Sequence, residues 1–208
     1  MVTMGKHHLS GDFEGSITGW VAGGTGTVEK SADQAKFSSF SLKCTADGAQ
    51  GVMHSYPITL DPGTYSLSGY VYVPTAFDGG LLVFGFAGFS DAVGTNFVSL
   101  DLNLRDQWQR AEIPNVTIVT DTAGFLRTDS TPSGPSAGIE VFLDGVQLED
   151  GATVTDFDPP IDGRLLDALM RPSGRTLMPA LAHEGMAPVG RTTMQPVGRP
   201  EMRPLGRF

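Results

Sequence analysis

The residues able to do chemistry in this chain do not form a recognisable catalytic set. Nineteen of the 23 acidic residues precede residue 161, but no pair of them stands out as a general acid and its base. His7, His8, His54 and His183 lack the spacing of metal ligands, and we assign His54 to the surface of the domain. No phosphate-binding loop or Cys-x-x-Cys motif occurs. We therefore predict that the protein is not an enzyme.

Two tyrosines share one side of a predicted strand. The run 64–73 alternates, and the side that we assign to the core comprises Tyr65, Leu67, Val71 and Val73. Tyr70 and Tyr72 lie on the opposite side. There they either form a binding surface or simply cover the sheet.

The run 81–89 breaks this alternation because both of its sides are apolar. A strand that is apolar on both sides is normally covered on both sides. We therefore predict that Phe84 and Phe86 lie on a side covered by another segment or by a partner subunit.

The C-terminal part of the chain contains an octapeptide repeat. Methionines recur at 170, 178, 186, 194 and 202, and four of the five units read Met-x-Pro-x-Gly-Arg. Proline and glycine in each unit prevent a continuous helix. The repeat is either a linker or, as we favour, a partner-binding tail that offers methionine anchors and arginine cations. The residues predicted to bind a partner are Met170, Arg175, Met186, Arg191, Met194, Arg199, Met202 and Arg207.

The elements that must position these residues are short strands. Runs rich in β-branched and aromatic residues occur at about nine places before residue 160, and Gly, Pro or Asp separates them. With 27 glycines, 14 prolines and 18% charged residues, the composition favours strands joined by tight turns. We predict an all-β, antiparallel jelly-roll sandwich over 1–160. An extended, largely irregular tail over 161–208 would begin with a short helix at 161–169.

Several motifs resemble the family 4/9-like carbohydrate-binding modules, which also occur in virion proteins of tailed phages. The resemblance covers roughly residues 8–160. It rests on Gly-Asp-Phe-Glu at 11–14, Gly-Trp at 19–20, the segment 38–43, Gln-Trp-Gln-Arg at 107–110, Leu-Asp-Gly-Val at 143–146, and the exit at 154–160. It implies a jelly roll whose first and last strands lie side by side.

The resemblance also implies candidate ligands. The outer sheet face of such modules often binds sugars, which makes Tyr70, Tyr72, Trp20 and Trp108 candidate stacking platforms for a glycan. Many relatives hold a structural Ca²⁺, and Glu14 and Asp144 occupy the matching motif positions with Asp12 nearby. No other cofactor is expected.

Charge and composition limit the partners. Residues 1–160 carry a net charge of −12 and residues 161–208 a net charge of +3, so nucleic acid is not expected to bind the domain. The first residues do not resemble a signal peptide, and no apolar stretch is long enough to cross a bilayer. A single cysteine, Cys44, excludes an internal disulfide and fits folding in a reducing cytoplasm as a buried residue.

Three hypotheses follow. The first is a non-catalytic virion structural protein of a tailed phage, either a decoration or a minor tail protein, assembled in the host cytoplasm. Its residues 161–208 would bind other virion proteins or further copies of this chain. The second is a secreted or free carbohydrate-binding module that recognises a cell-surface glycan. The third, an accessory domain of a glycanase, fits less well with the distinctive tail.

Overall fold

The computed structural model describes residues 6–7, 11–120 and 122–158, and the predicted tail residues from Met170 to Arg207 lie outside that part of the chain. Ten strands make up the described elements. They are β1 (Lys6–His7), β2 (Thr27–Ser31), β3 (Ser41–Thr45), β4 (Val52–Thr59), β5 (Gly63–Val73), β6 (Leu81–Ala87), β7 (Phe97–Ser99), β8 (Gln107–Ile118), β9 (Ala123–Thr131) and β10 (Glu140–Asp150). Within these ranges there is no helix, and hence none that is long and apolar enough to span a membrane.

The strands form two antiparallel sheets. The larger sheet has the order β2-β3-β10-β5-β8, with β1 also pairing to β10, and the smaller has the order β4-β9-β6-β7. The predicted all-β jelly-roll sandwich is confirmed. The first and last motifs also meet as predicted, because the Val146 amide donates to the Gly11 carbonyl at 3.0 Å.

The core lies between the sheets and follows the alternation of the strands. Tyr65, Leu67, Val71 and Val73 of β5 are all buried in it, as predicted. Cys44 is also fully buried, and this burial raises the pKa of its thiol to about 12. A thiol with such a pKa is protonated at neutral pH and unreactive while the fold is closed.

Phe84 and Phe86 belong to this core, so their predicted role in partner binding is wrong. Both are at most 1% exposed. They face the larger sheet, where a Cβ on Gly69 would come within 2.9 Å of the Phe84 ring. One side of β6, which includes Leu82, therefore faces the core. The other side is also apolar, but Leu81 on that side remains 46% exposed.

His54 is buried between the sheets and is not the surface residue that we expected. It lies on β4, and its Nε2 donates to the Leu42 carbonyl of the other sheet at 3.2 Å. Its Nδ1 accepts from the Thr128 hydroxyl at 2.7 Å, so both ring nitrogens have partners in the neutral form. Complete burial lowers the pKa of His54 to about 3. The side chain is therefore a neutral link between the two sheets.

Candidate functional site

The outer face of the larger sheet brings predicted and unpredicted residues into register. Tyr72 of β5 lies between Trp108 of β8 and Phe142 of β10. We call these three residues the aromatic strip. The neighbouring row is built in the same way and places Tyr70 between Arg110 and Asp144.

The aromatic strip is partly open to solvent. The Tyr72 ring lies 5.7 Å from Trp108 and 5.8 Å from Phe142, with edge-to-face geometry in both pairs. Tyr72 and Trp108 are half-buried, while Phe142 is 3% exposed and forms part of the floor. An open depression of about 280 Å³ adjoins the strip, and its lining includes Asp33, Gln34, Tyr72, Glu140 and Phe142. Apolar rings beside carboxylate and amide groups suit a ligand with apolar faces and hydroxyl edges.

Lys43 of β3 continues the row, since it pairs directly with Phe142, and Glu29 of β2 pairs with Lys43 in turn. Its ammonium lies 2.7 Å from Glu29, 3.1 Å from Asp33 and 3.3 Å from Glu140. We call these four residues the Lys43 cluster. Hydrogen bonds to Glu29 and then to Asp33 raise the pKa of Lys43, which holds the side chain in its charged form.

Tyr70 is half-buried like Tyr72, but other side chains lie against its ring. Phe37, from the loop 32–40, packs edge-on against its ring at 5.1 Å and also contacts Phe157 at 4.5 Å. Lys36 and Arg110 lie over the Tyr70 ring at 5.1 and 5.8 Å. The predicted binding role therefore fits Tyr72 and Trp108 better than it fits Tyr70.

Residues 151–158, here the exit segment, cover another part of this face. The Ser66 hydroxyl donates to the Thr153 carbonyl at 3.0 Å, and Glu149 accepts from both the amide and the hydroxyl of Thr155. Arg110 binds Asp156 at 3.0 Å. These contacts bury Ser66 and Glu149.

The loop 32–40 is held in place by two of the predicted metal ligands. Asp144 accepts hydrogen bonds from the amides of Lys36 (2.8 Å), Phe37 (2.9 Å) and Gly145 (2.7 Å). Burial raises the pKa of Asp144 to about 7, although these three amides favour the carboxylate.

Glu14 anchors the other end of the same loop. Its Oε1 accepts from the amides of Ser39 (2.7 Å) and Phe40 (2.8 Å). Asp12 instead caps its own turn by accepting from the Glu14 amide at 3.2 Å.

These contacts leave few free oxygens for an ion. Lys30 donates to the carbonyls of Glu14 and Gly15, so an ammonium already lies at this backbone. Across the described ranges, no three His, Cys, Asp or Glu side chains form a group that could hold a metal. Structural Ca²⁺ at Glu14, Asp12 and Asp144 stays a prediction.

Gly145 explains how the loop reaches the sheet. It adopts a φ of +56° inside a β-bulge of β10, and an added Cβ would come within 2.5 Å of the Phe37 ring. Glycine is therefore required both for the backbone conformation and for the close approach of Phe37.

Trp20 is not a platform for a ligand. It is 4% exposed and packs in the core against Phe13 and Tyr56, at ring distances of 5.7 and 5.2 Å.

Phe142, Lys43 and Phe37 were not predicted from the sequence. Alternation along β10 places Phe142 on the outer face with Asp144, but no local signal places Phe37 over Tyr70.

The fold is similar to that of solved carbohydrate-binding modules. The C-terminal family 22 carbohydrate-binding module of Clostridium thermocellum Xyn10B matches with a TM-score of 0.53 and 18% identity, over 70% of this chain and 94% of that one. The CBM22-1 xylan-binding domain of Paenibacillus barcinonensis Xyn10C matches with a TM-score of 0.52 and 22% identity, over 69% and 94% of the two chains. The chain has the β-sandwich fold of carbohydrate-binding modules.

The likeness confirms the predicted fold at the level of architecture. The similar structures belong to family 22, whereas the sequence resemblance was to families 4 and 9. No family model matches the sequence, and no curated protein matches it either.

Proposed function

We propose that the protein is a non-catalytic glycan-binding module whose aromatic strip stacks on sugar rings. The observation that supports this most directly is the half-buried pair Tyr72 and Trp108 beside an open depression whose lining includes Asp33 and Glu140. Sugar rings have apolar faces and hydroxyl edges, and both kinds of group are present here. Two of the structures similar in fold are described as xylan-binding, so xylan is the first ligand to test.

Affinity electrophoresis of the full chain through gels containing xylan, cellulose derivatives or galactan tests this function. We expect Trp108→Ala and Tyr72→Ala to weaken binding at least about tenfold, since such residues dominate many interfaces. Phe125→Ala is the matched control, because this aromatic residue is 41% exposed on the outer face of the smaller sheet. Unchanged binding in both strip variants, or an equal loss in the control, would refute the strip as the binding site.

A second role, assembly into a virion, rests on the octapeptide repeat. An acidic body and a basic tail on one chain would attract one another between neighbouring copies. Each repeat would add a weak contact of Met and Arg, so the tethered contacts together would bind firmly. On this proposal the protein assembles in the host cytoplasm and stays with the particle, and the glycan-binding face is displayed on its surface.

Two charge-matched variants of the full chain test this role. Replacing Arg191, Arg199 and Arg207 with Gln removes three cations from repeat positions. Replacing Arg164, Arg171 and Arg203 with Gln removes three cations from other positions of the same segment. We expect the first variant to lose self-association in sedimentation velocity, or co-sedimentation with virus particles, and the second to retain it. Equal behaviour of the two variants would show that the repeat register has no role.

A further inference from the structure

The Lys43 cluster places carboxylates beside the aromatic strip. An ammonium group has three N–H donors, and Lys43 meets three different carboxylates. Its side chain is 12% exposed, whereas those of Asp33, Glu29 and Glu140 are 64%, 58% and 43% exposed. A ligand that reaches this end of the strip therefore meets carboxylates, and the lysine has no donor to spare for it.

The cluster has a net charge of −2, since three carboxylates surround one ammonium. Asp33 and Glu140 both line the depression beside Tyr72, so this charge lies at the proposed ligand. At the other end of the strip, the negative charge of Asp106 adds to burial in raising the pKa of Tyr72.

The cations nearest to the strip do not offset this charge. Arg110 is engaged by Glu112 and Asp156, at 3.0 Å each. Arg105 lies over the Phe77 ring, and Lys36 lies over Tyr70 in the covered row. A carboxylated ligand would therefore meet the net negative charge of the Lys43 cluster at the strip.

We propose that the Lys43 cluster makes the strip select uncharged glycans and reject carboxylated ones. The inference rests on the proposed glycan-binding function and adds the class of ligand to it. Like charges brought together at a partly desolvated site cost affinity, and such a repulsive element is a common source of specificity. Asp33 and Glu140 are then specificity-determining residues, because each of them repels a ligand carboxylate and also engages Lys43.

The test uses polysaccharides that share a backbone and differ in charge. Xylan is compared with carboxymethyl xylan, and hydroxyethyl cellulose with carboxymethyl cellulose, by affinity electrophoresis of the full chain. We expect the wild type to bind the carboxymethyl derivative at least about tenfold more weakly than its neutral counterpart. The variant Asp33→Asn with Glu140→Gln should bring the two affinities within about threefold, since it removes two anions and leaves Lys43 paired with Glu29 alone.

Controls separate charge at the strip from charge in general. Asp61→Asn changes the net charge as Glu140→Gln does, but it lies in the turn before β5, at the opposite end of that strand from Tyr72. It should leave the preference unchanged, whereas Glu140→Gln alone, at an exposed side chain, should reduce it. The binding of carboxymethyl polysaccharides that these variants gain should weaken as the salt concentration rises. The binding of neutral polysaccharides should not depend on salt.

The outcomes are distinguishable. The charge preference would be overturned if the wild type bound the neutral and the carboxymethyl polysaccharide of a pair equally. It would also be overturned if neither Glu140 variant gained affinity for the carboxymethyl polysaccharide. Both results would leave the proposed glycan binding intact. Failure of the wild type to bind any neutral polysaccharide would overturn the proposed function and this inference with it.

Discussion

Tyr70 and Tyr72 lie two residues apart on the same face of the same strand, yet their surroundings differ. Tyr72 borders an open depression, whereas Tyr70 lies beneath Phe37, Lys36 and Arg110. The covering groups come from positions more than 30 residues away in sequence. Alternation along a strand therefore assigns a side chain to one face of the sheet. Segments that are distant in the sequence decide whether a ligand can reach that side chain.

The largest loss of stability is expected from a change at Asp144, which holds the loop 32–40 over Tyr70. Replacing it with Ala removes the acceptor of three amide groups and should cost about 3 kcal/mol in the free energy of unfolding. Loss of this anchor should release the loop 32–40 and expose Tyr70. Asp144→Asn is the matched control, because it keeps the shape and one acceptor oxygen and should cost less. Urea denaturation measures both, and an unchanged midpoint in Asp144→Ala would contradict the anchoring role.

A pH titration tests whether the core and the outer face that carries Tyr70 and Tyr72 unfold in one cooperative transition. The pKa of His54 is about 3 in the folded protein and near 6.5 when unfolded, so the unfolded state binds the proton first. Its contribution to stability is therefore lost as pH falls below 6.5, by about 2 kcal/mol between pH 6.5 and pH 5.

The variant His54→Met with Thr128→Val should remove this part of the pH dependence. Acid unfolding followed by circular dichroism and by tyrosine fluorescence should give coincident transitions. Separate transitions would show that the outer face opens without the core.

A smaller effect is expected when the cover over Tyr70 is trimmed. Phe37→Ala removes a half-buried ring and should cost about 1–2 kcal/mol, less than a fully buried phenylalanine. Nitration followed by mass spectrometry should show Tyr72 reacting faster than Tyr70 in the wild type and the two at similar rates in the variant. A Tyr70 that stays protected would show that Lys36, Arg110 or the exit segment covers it without Phe37.

The smallest effect is expected at Glu14. Gln retains the oxygen that accepts from Ser39 and Phe40, so Glu14→Gln should change stability by less than about 0.5 kcal/mol. The same variant tests Ca²⁺, because a bound ion would raise the thermal midpoint of the wild type by mass action and would lose a charged ligand in Glu14→Gln. If neither added Ca²⁺ nor a chelator moves the wild-type midpoint, the predicted ion site is absent.

The sequence predicted the sandwich well, because alternation and turn residues are local signals. Alternation along 64–73 also placed Tyr72 on the outer face, whereas Trp108 was proposed from the family resemblance, and the binding role of both stays a prediction. Prediction from the sequence failed where burial depends on the packing of the two sheets: Trp20 was a candidate platform for a glycan and Phe84 a candidate partner contact, and both fill the core. The cover over Tyr70 and the Lys43 cluster were not predictable because each joins segments that are distant in the chain.

Cys44 gives the sandwich an internal reporter of its own dynamics. The thiol is the single one in the chain, lies on β3 between the sheets and has a pKa of about 12. A thiol reagent can therefore modify it only when the edge formed by β2 and β3 detaches or the whole domain unfolds. Labelling rates measured against denaturant concentration would distinguish these two openings without adding a probe, because local detachment exposes little surface and depends weakly on denaturant.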